Sequence, residues 1–316
     1  MGETERITSK LGVEPILRMH TLALIASNIT SKHALMDFFA KTFYAYQYKD
    51  IDRLFGIIDN ILHMLKEFEF IVIGQSSANN NPFVNAYEMM EDKKLKATLL
   101  GRRVSELYID PITAHKIITG LRRAKMISEI GLLQLLANTS EMKPLLGIRQ
   151  EEFEAINDFI LANENELIER PPEEWDIEYE DYLRSIKTAM LFMDWMDEMG
   201  EDRILERYNV TPGELRYRLE TMDWLLYSAH ELALLLGMKD ILKIIRKIRV
   251  RLKYGIREEL ITFVKLKGIG RVRARQLYNT GIRNLGDLRK VPLESLERLI
   301  GPKTAREIKK QLNQLR

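Results

Sequence analysis

The residues with the clearest capacity for chemistry form a short glycine turn in a basic segment near the C-terminus. In Leu266-Lys267-Gly268-Ile269-Gly270-Arg271-Val272-Arg273-Ala274-Arg275-Gln276-Leu277-Tyr278, a Gly-hydrophobic-Gly turn joins two short helices. Glycines let the backbone approach a phosphate closely, and the free N–H groups that begin the second helix can bind the anion. Five basic residues surround the turn: Lys265, Lys267, Arg271, Arg273 and Arg275. The segment is typical of a helix-hairpin-helix that binds DNA phosphates without reading bases, so its binding should depend strongly on salt.

A second, weaker copy of this motif follows. Leu288 to Ile300, with Gly301 ahead of Thr304-Ala305-Arg306-Glu307-Ile308, would pair with the first hairpin as a packed tandem. For this copy the sequence favours a structural role.

A second candidate site lies on a helix that begins at Thr211-Pro212-Gly213-Glu214 and ends at Gly237. Thr caps this helix, Pro fits its first turn, and Glu214 completes a capping box. At 100° per residue, six apolar residues fall on one face and predict a core stripe. They are Leu215, Leu219, Met222, Leu226, Ala229 and Ala233.

Tyr217 and Trp224 lie on the opposite side of that helix, with Thr221 and Ser228 beside them and Arg216 and Arg218 flanking. Exposed rings can stack on unpaired bases while arginines hold phosphates. A second layer of helices that buries this face would explain the same pattern. The residues alone leave both interpretations open.

Charge is segregated along the chain. Residues 241–316 carry 21 Lys and Arg against 6 Asp and Glu, whereas residues 141–202 carry 19 acidic and 5 basic residues. A basic tail domain on an acidic body indicates nucleic acid bound at one end. Solvated helix faces are the alternative explanation.

Composition excludes several classes of protein. The chain has no cysteine and only five histidines, without an H-x-x-x-H pair, so thiol chemistry, iron–sulfur clusters and His-based metal sites are not expected. We expect neither a leader peptide nor a membrane span, because no basic stretch is followed by a hydrophobic one and no apolar run is long enough to cross a bilayer. We expect a soluble, cytoplasmic protein with no membrane partner and no bound cofactor or metal.

Hydrophobic periodicity predicts a mainly α fold with three domains. Residues 1–108 are predicted to form a winged helix, with helices at 14–28, 31–44 and 51–68 and strands at 68–73 and 95–100 around a polar stretch from Gly74 to Pro82. Its third helix has few basic residues, which favours a structural role over reading a major groove. Residues 109–255 predict a helical bundle, and residues 256–316 the helix-hairpin-helix domain.

Four segments together resemble the C-terminal half of archaeal superfamily-two DNA helicases of the Holliday-junction-migration (Hjm) type, relatives of HelQ. They are Arg6-Ile7-Thr8-Ser9-Lys10-Leu11-Gly12, Leu107-Tyr108-Ile109-Asp110-Pro111, the Thr211 to Trp224 helix, and Gly268 to Arg275. The resemblance implies a winged helix, a helical ratchet domain and a helix-hairpin-helix domain that follow two RecA-like motor domains. It also implies ATP-dependent 3′ to 5′ unwinding in replication-fork or recombination repair.

The resemblance also assigns roles to residues. Trp224 would stack on a base of the translocating strand. The basic residue that usually lies two turns earlier is replaced by Tyr217, between Arg216 and Arg218. Partners implied by the family are single-stranded or branched DNA, the motor domains of the same helicase, and a sliding clamp or a junction resolvase.

Motor motifs do not accompany these segments. The sequence has no G-x-x-x-x-G-K-[ST] loop, no D-E-x-[HD] pair and no Q-x-x-G-R-x-G-R motif. We expect that this chain does not hydrolyse ATP on its own, and that ATP and magnesium act only with motor domains supplied elsewhere. An alternative function is a protein-interaction module that docks a helicase or repair partner through its acidic body; direct DNA cleavage is disfavoured because no catalytic constellation is recognisable.

Overall fold

The computed structural model describes residues 8–74, 94–124 and 126–314. These residues form 17 α-helices and two short strands, which confirms a mainly α fold. The chain divides into two compact units, Met1–Arg122 with Glu231–Gly237, and Arg123–His230 with Met238–Arg316. The predicted domain boundaries at residues 108 and 255 stay a prediction.

The first unit starts with helices and a two-stranded sheet, in the order expected of a winged helix. Its first helices are α1 (Glu14–Ala26), α2 (Lys32–Ala40), α3 (Phe43–Tyr48) and α4 (Ile51–Glu67). Strands β1 (Ile71–Gly74) and β2 (Lys94–Ala97) pair antiparallel, with Ile71 opposite Ala97. The predicted polar stretch beyond Gly74, and Arg6 and Ile7 of the first family segment, lie outside the described residues.

One predicted helix, residues 31–44, is in fact two. The Thr42 hydroxyl donates to the carbonyl of Phe39 at 2.7 Å and accepts from the amide of Ala45 at 3.4 Å. Thr42 therefore closes the turn after α2 and caps the start of α3. Hydrophobic periodicity alone does not predict this break between the two helices.

The second strand is shorter than predicted, because Thr98 caps a helix immediately after it. The Thr98 hydroxyl accepts a hydrogen bond from the amide of Gly101 at 3.0 Å and starts α5 (Leu99–Leu107). A Cβ on Gly101 would lie 1.9 Å from the carbonyl oxygen of Phe70, so only glycine permits this approach of α5 to the start of the sheet.

The Leu107–Pro111 segment makes a buried ion pair. Asp110 accepts hydrogen bonds from Nε and Nη2 of Arg18 at 3.0 and 2.7 Å, and both side chains are buried. Asp110 also accepts from the amide of Ile112 at 3.1 Å at the start of α6 (Pro111–Arg123). This segment therefore fixes α6 to α1.

The second unit contains a helical bundle. Its helices are α7 (Glu129–Ala137), α8 (Phe153–Ala162), α9 (Ile177–Met196), α10 (Glu201–Tyr208), α11 (Pro212–Leu235, whose last residues belong to the first unit) and α12 (Lys239–Tyr254). Helix α7 is buried from Ile130 to Ala137, and α9 packs against it. A Cβ on Gly131 would lie 2.1 Å from the carbonyl oxygen of Glu166, so α7 is also held close to that loop.

The C-terminal part of the second unit is a set of short helices around its own core. They are α13 (Ile261–Val264), α14 (Arg271–Asn279), α15 (Leu285–Lys290), α16 (Leu293–Ile300) and α17 (Pro302–Gln314). Leu266, Ile269 and Leu277 from the first hairpin share this core with Leu296 and Ile308 from the second. The two hairpins therefore pack as a tandem. Throughout the described part of the chain, no helix combines the length and apolar character needed to cross a membrane.

Candidate nucleic-acid interface

Helix α11 begins with the predicted capping box. The backbone amide of Thr211 donates to Oε2 of Glu214 at 2.9 Å, and the Glu214 amide donates to the Thr211 hydroxyl at 3.4 Å. The hydrogen bond from the Thr211 amide lowers the pKa of Glu214, so this carboxylate stays charged and turned toward the cap.

The face of α11 opposite its core carries the predicted aromatic pair. The predicted core residues Leu215, Met222, Leu226, Ala229 and Ala233 are buried, with Leu219 half-buried. Tyr217 is 53% exposed, whereas Trp224 is half-buried, so this face is open at Tyr217 and more covered at Trp224. An exposed ring such as that of Tyr217 can stack on an unpaired base.

Thr221 and Ser228, the two hydroxyl residues beside the rings, are buried. Leu225 and Leu232 extend the core around the helix as far as Thr221 and Ser228. The Thr221 hydroxyl donates to the carbonyl of Tyr217 at 3.0 Å, and the Ser228 hydroxyl to that of Trp224 at 2.9 Å. Both side chains satisfy their polar groups within the helix.

Two arginines that flank the rings differ in environment. Arg216 is exposed and pairs with Glu220 at 3.1 Å. Arg218 is only 9% exposed and donates to the carbonyl of Pro144 at 3.2 Å; its burial lowers the pKa of its guanidinium. Of the two, Arg216 lies open to a ligand on the helix surface.

Tyr227 is a further exposed ring on α11, and it is not among the predicted site residues. It is 38% exposed and lies three residues after Trp224, while the guanidinium of Arg249 in α12 lies 5.2 Å from its ring centre. Arg249 also donates to both carboxylate oxygens of Asp223, at 2.8 and 3.0 Å. The spacing from Trp224 was the signal that could have identified Tyr227.

The glycine turn has the geometry that a helix-hairpin-helix requires. Gly268 has φ +92°, in the left-handed region that favours glycine, and Gly270 is the N-cap of α14. A Cβ on Gly270 would meet no atom within 4 Å, so the space in front of the α14 amides is open. Lys265 and Lys267 are exposed beside the turn. The Lys267 backbone is held by Gln311, whose side chain accepts from its amide at 2.8 Å and donates to its carbonyl at 3.0 Å.

The three arginines of α14 are placed differently. Arg273 is exposed, and its Nη1 donates to the carbonyl of Gly268 at 2.8 Å, across the turn. The guanidinium of Arg271 lies 5.1 Å from the ring centre of Trp195, and its burial lowers its pKa. Arg275 donates to both carboxylate oxygens of Glu198 and to Glu259 at 2.7 Å. Arg271 and Arg275 therefore contact the end of α9 and the loop after it.

The contact with Arg275 determines the direction in which the pKa of Glu198 is shifted. Burial alone raises the pKa of Glu198, but the hydrogen bonds from Arg275 and from the backbone of Arg257 outweigh burial and lower it. The pKa of Arg275 is raised in return. Local sequence patterns do not predict this ion pair, because 77 positions separate Glu198 from Arg275.

Comparison with known proteins agrees with this geometry. Residues 130–255 match the family described as archaeal helicase, domain 4, and residues 258–314 match the SAM-like helix-hairpin-helix tandem. The chain is 34% identical to the ATP-dependent DNA helicase Hel308 of Methanocella arvoryzae over 98% of its own length and 40% of that relative. The Hel308 helicases of Pyrococcus horikoshii and Thermococcus kodakarensis are each 37% identical, over 98% and 94% of this chain and 41% and 25% of their own lengths.

Residues 130–255 belong to the archaeal helicase domain 4 family. The chain spans less than half the length of these curated relatives. The domain 4 match covers α7 to α12, including the aromatic face of α11. The tandem match covers both hairpins, and the second has its own left-handed glycine, Gly301 with φ +88°, between α16 and α17. The predicted recognition is confirmed, whereas the DNA contacts of individual residues stay a prediction.

Proposed function

We propose that this chain is the DNA-binding C-terminal region of an ATP-dependent DNA helicase and that it grips single-stranded or branched DNA. The observation that carries the proposal is the placement of Tyr217 and Trp224 off the core of α11, within the residues that match an archaeal helicase domain. A base stacked on such a ring contributes about 1 to 3 kcal/mol without regard to its identity. A strand can therefore slide past the helix while bases exchange on the rings.

Phosphate contacts are proposed for the glycine turn. Lys265, Lys267 and Arg273 are exposed around it, and Gly268 and Gly270 leave the α14 amides accessible. Amides at a helix start and nearby cations bind phosphate without a base code. The hairpin would hold the DNA backbone, while α11 contacts the bases.

The remaining predicted residues take supporting parts in this proposal. Arg216 can bind a phosphate in place of Glu220, because breaking this exposed ion pair costs little free energy in water. Thr221 fixes the backbone under Tyr217, and Arg271 and Arg275 position the hairpin against α9. Arg218 lies in a separate cavity.

Unwinding itself is assigned to RecA-like motor domains that would bind ATP and magnesium and move 3′ to 5′, with this chain as the grip. We expect no ATP hydrolysis by this chain alone. A role in replication-fork or recombination repair, with a sliding clamp or a junction resolvase as partner, rests on family resemblance only.

Titration of a fluorescent oligo-dT against salt tests the proposal. We expect binding at low salt that weakens as salt rises, and an affinity loss on Trp224→Ala corresponding to about 1 to 3 kcal/mol. Trp175→Ala is the matched control, because Trp175 is 83% exposed in the acidic segment and is not expected to meet DNA. Absence of binding at low salt, or equal effects of the two substitutions, would contradict the proposal.

A further inference from the structure

A polar cavity lies beside the first half of α11, on the flank away from Tyr217 and Trp224. Its volume is about 370 Å³, within the usual range for small-molecule sites. The loop 145–149, α9, the end of α10 and α11 enclose it. Its charged lining consists of Arg149, Lys187, Glu214 and Arg218.

Arg218 is the unusual member of this lining. It is nine-tenths buried, and its guanidinium donates to the carbonyl of Pro144 at 3.2 Å. Among the residues that the structure describes, its Nε has no hydrogen-bond partner. No carboxylate of the described residues forms an ion pair with it. A guanidinium remains charged even when buried, and an unpaired buried charge is costly.

The other charges leave the cavity positive. Lys187 is also buried and donates to the carbonyl of Gly147 at 2.7 Å and to Glu152 at 2.6 Å, so one carboxylate already neutralises it. Glu214 is turned toward Thr211 by its capping hydrogen bonds. Arg149 is exposed at the rim. Glu214 acts on Arg218 only through the longer-range attraction of its charge, without a direct ion pair. Three cations against one carboxylate in the lining leave the cavity with a positive charge.

We propose that this cavity binds a phosphate group, with the buried guanidinium of Arg218 as its principal ligand and Arg149 at its entrance. The planar fork of an arginine matches two phosphate oxygens, and a dianion would supply the partner that Arg218 lacks. The third ammonium hydrogen of Lys187 can add a contact. The site is independent of the proposed stacking face, since Arg218 lies about 100° around the helix from Tyr217.

Calorimetric titration of inorganic phosphate into the full chain, at constant ionic strength set with chloride, tests the site. We expect saturable binding that Arg218→Met weakens about tenfold or more, since loss of one charge-assisted contact has that effect. Arg203→Gln is the matched control, because Arg203 is exposed on α10 and does not line the cavity, so phosphate binding should be unchanged. Unmeasurable binding by the wild-type chain, or equal binding by Arg218→Met, would overturn the proposal.

Arg149→Gln provides a second test that does not touch the core. This exposed side chain should be replaceable without loss of stability, and we expect several-fold weaker phosphate binding with an unchanged melting temperature. Unchanged phosphate binding in this variant would remove Arg149 from the site.

Competition identifies the source of the phosphate. If an oligo-dT without terminal phosphates displaces inorganic phosphate, and Arg218→Met weakens both ligands alike, the group comes from a DNA backbone. If phosphate still binds to the DNA-saturated chain, the ligand is a free phosphate or a phosphorylated small molecule. Both results support the phosphate site. Because phosphate binding is measured without DNA, the site can be confirmed even if the proposed DNA binding is wrong.

Discussion

Arg275 of the first hairpin and Glu198 after the long helix α9 form a paired contact in which the guanidinium donates to both carboxylate oxygens, with Nε to Oε2 at 2.8 Å. Their side chains are 26% and 15% exposed. The contact joins the helix-hairpin-helix tandem to the helical bundle within one compact unit. Arg275, whose type suggested DNA binding, thus holds the helix-hairpin-helix tandem against the helical bundle.

Replacing Glu198 with Gln should therefore destabilise the chain. We expect a loss of about 1.5 to 3 kcal/mol in the free energy of unfolding, as for hydrogen bonds to charged groups that are partly screened from water. Chemical denaturation at neutral pH measures it. Glu180→Gln, at an exposed i,i+4 pair with Arg184, is the control and should change stability little.

The same pair predicts a dependence on acid. Because the folded state lowers the pKa of Glu198 below its ordinary value of 4.5, its contribution is complete above that pH and is lost as pH falls through the lower folded pKa. The wild-type chain should lose more stability below pH 4.5 than Glu198→Gln does. Equal losses of stability with falling pH in the two proteins would show that the Glu198–Arg275 pair does not contribute to the acid dependence.

Substitutions of Arg273 and Arg275 should have different effects, one on DNA affinity and the other on thermal stability. Arg273→Gln should weaken oligo-dT binding and reduce the salt dependence by about 0.7 in the logarithmic slope, as expected for one lost phosphate contact, with little change in melting temperature. Arg275→Gln should mainly lower the melting temperature, since Arg275 pairs with two carboxylates. The reverse pattern would mean that the hairpin presents Arg275 to DNA.

The two glycines of the turn offer a similar comparison. Gly268→Ala forces a Cβ into a left-handed conformation and should cost about 1 to 2 kcal/mol of stability. Gly270→Ala meets open space with an ordinary negative φ, so folding should be nearly unaffected while the new methyl group obstructs a phosphate. Denaturation and oligo-dT titration of both variants provide the comparison. A Gly270→Ala chain with unchanged DNA affinity would argue against backbone contacts at the turn.

Asp110 should prove a major determinant of stability in the first unit. Asp110→Asn leaves the buried guanidinium of Arg18 without a full counter-charge, which typically costs about 3 to 5 kcal/mol. Glu14→Gln is the control, because Glu14 contacts the same arginine but is 72% exposed and should contribute under about 1 kcal/mol. Unfolding by heat or denaturant distinguishes the two.

Local features of this chain were predictable because neighbouring residues create them. The capping box of Thr211 and Glu214, the glycine turn, and the position of Tyr217 and Trp224 off the core stripe depend on residues within one or two helical turns. The sequence misjudged boundaries where a single threonine, Thr42 or Thr98, capped a helix inside an apolar run. These errors are also local, and attention to side-chain caps would reduce them.

The type and spacing of residues by themselves determined that the chain is helical, that it has a glycine turn of helix-hairpin-helix form, and that two aromatic rings lie off the core stripe of one helix. Only the tertiary structure decided which basic side chains remain available. Arg275 pairs with a carboxylate 77 positions away, Arg218 is buried beside a cavity, and Arg273 stays exposed. Helical periodicity predicts the direction in which a side chain points from the helix axis. Whether the charge of that side chain is paired with an opposite charge depends on residues distant in sequence, which only folding brings near.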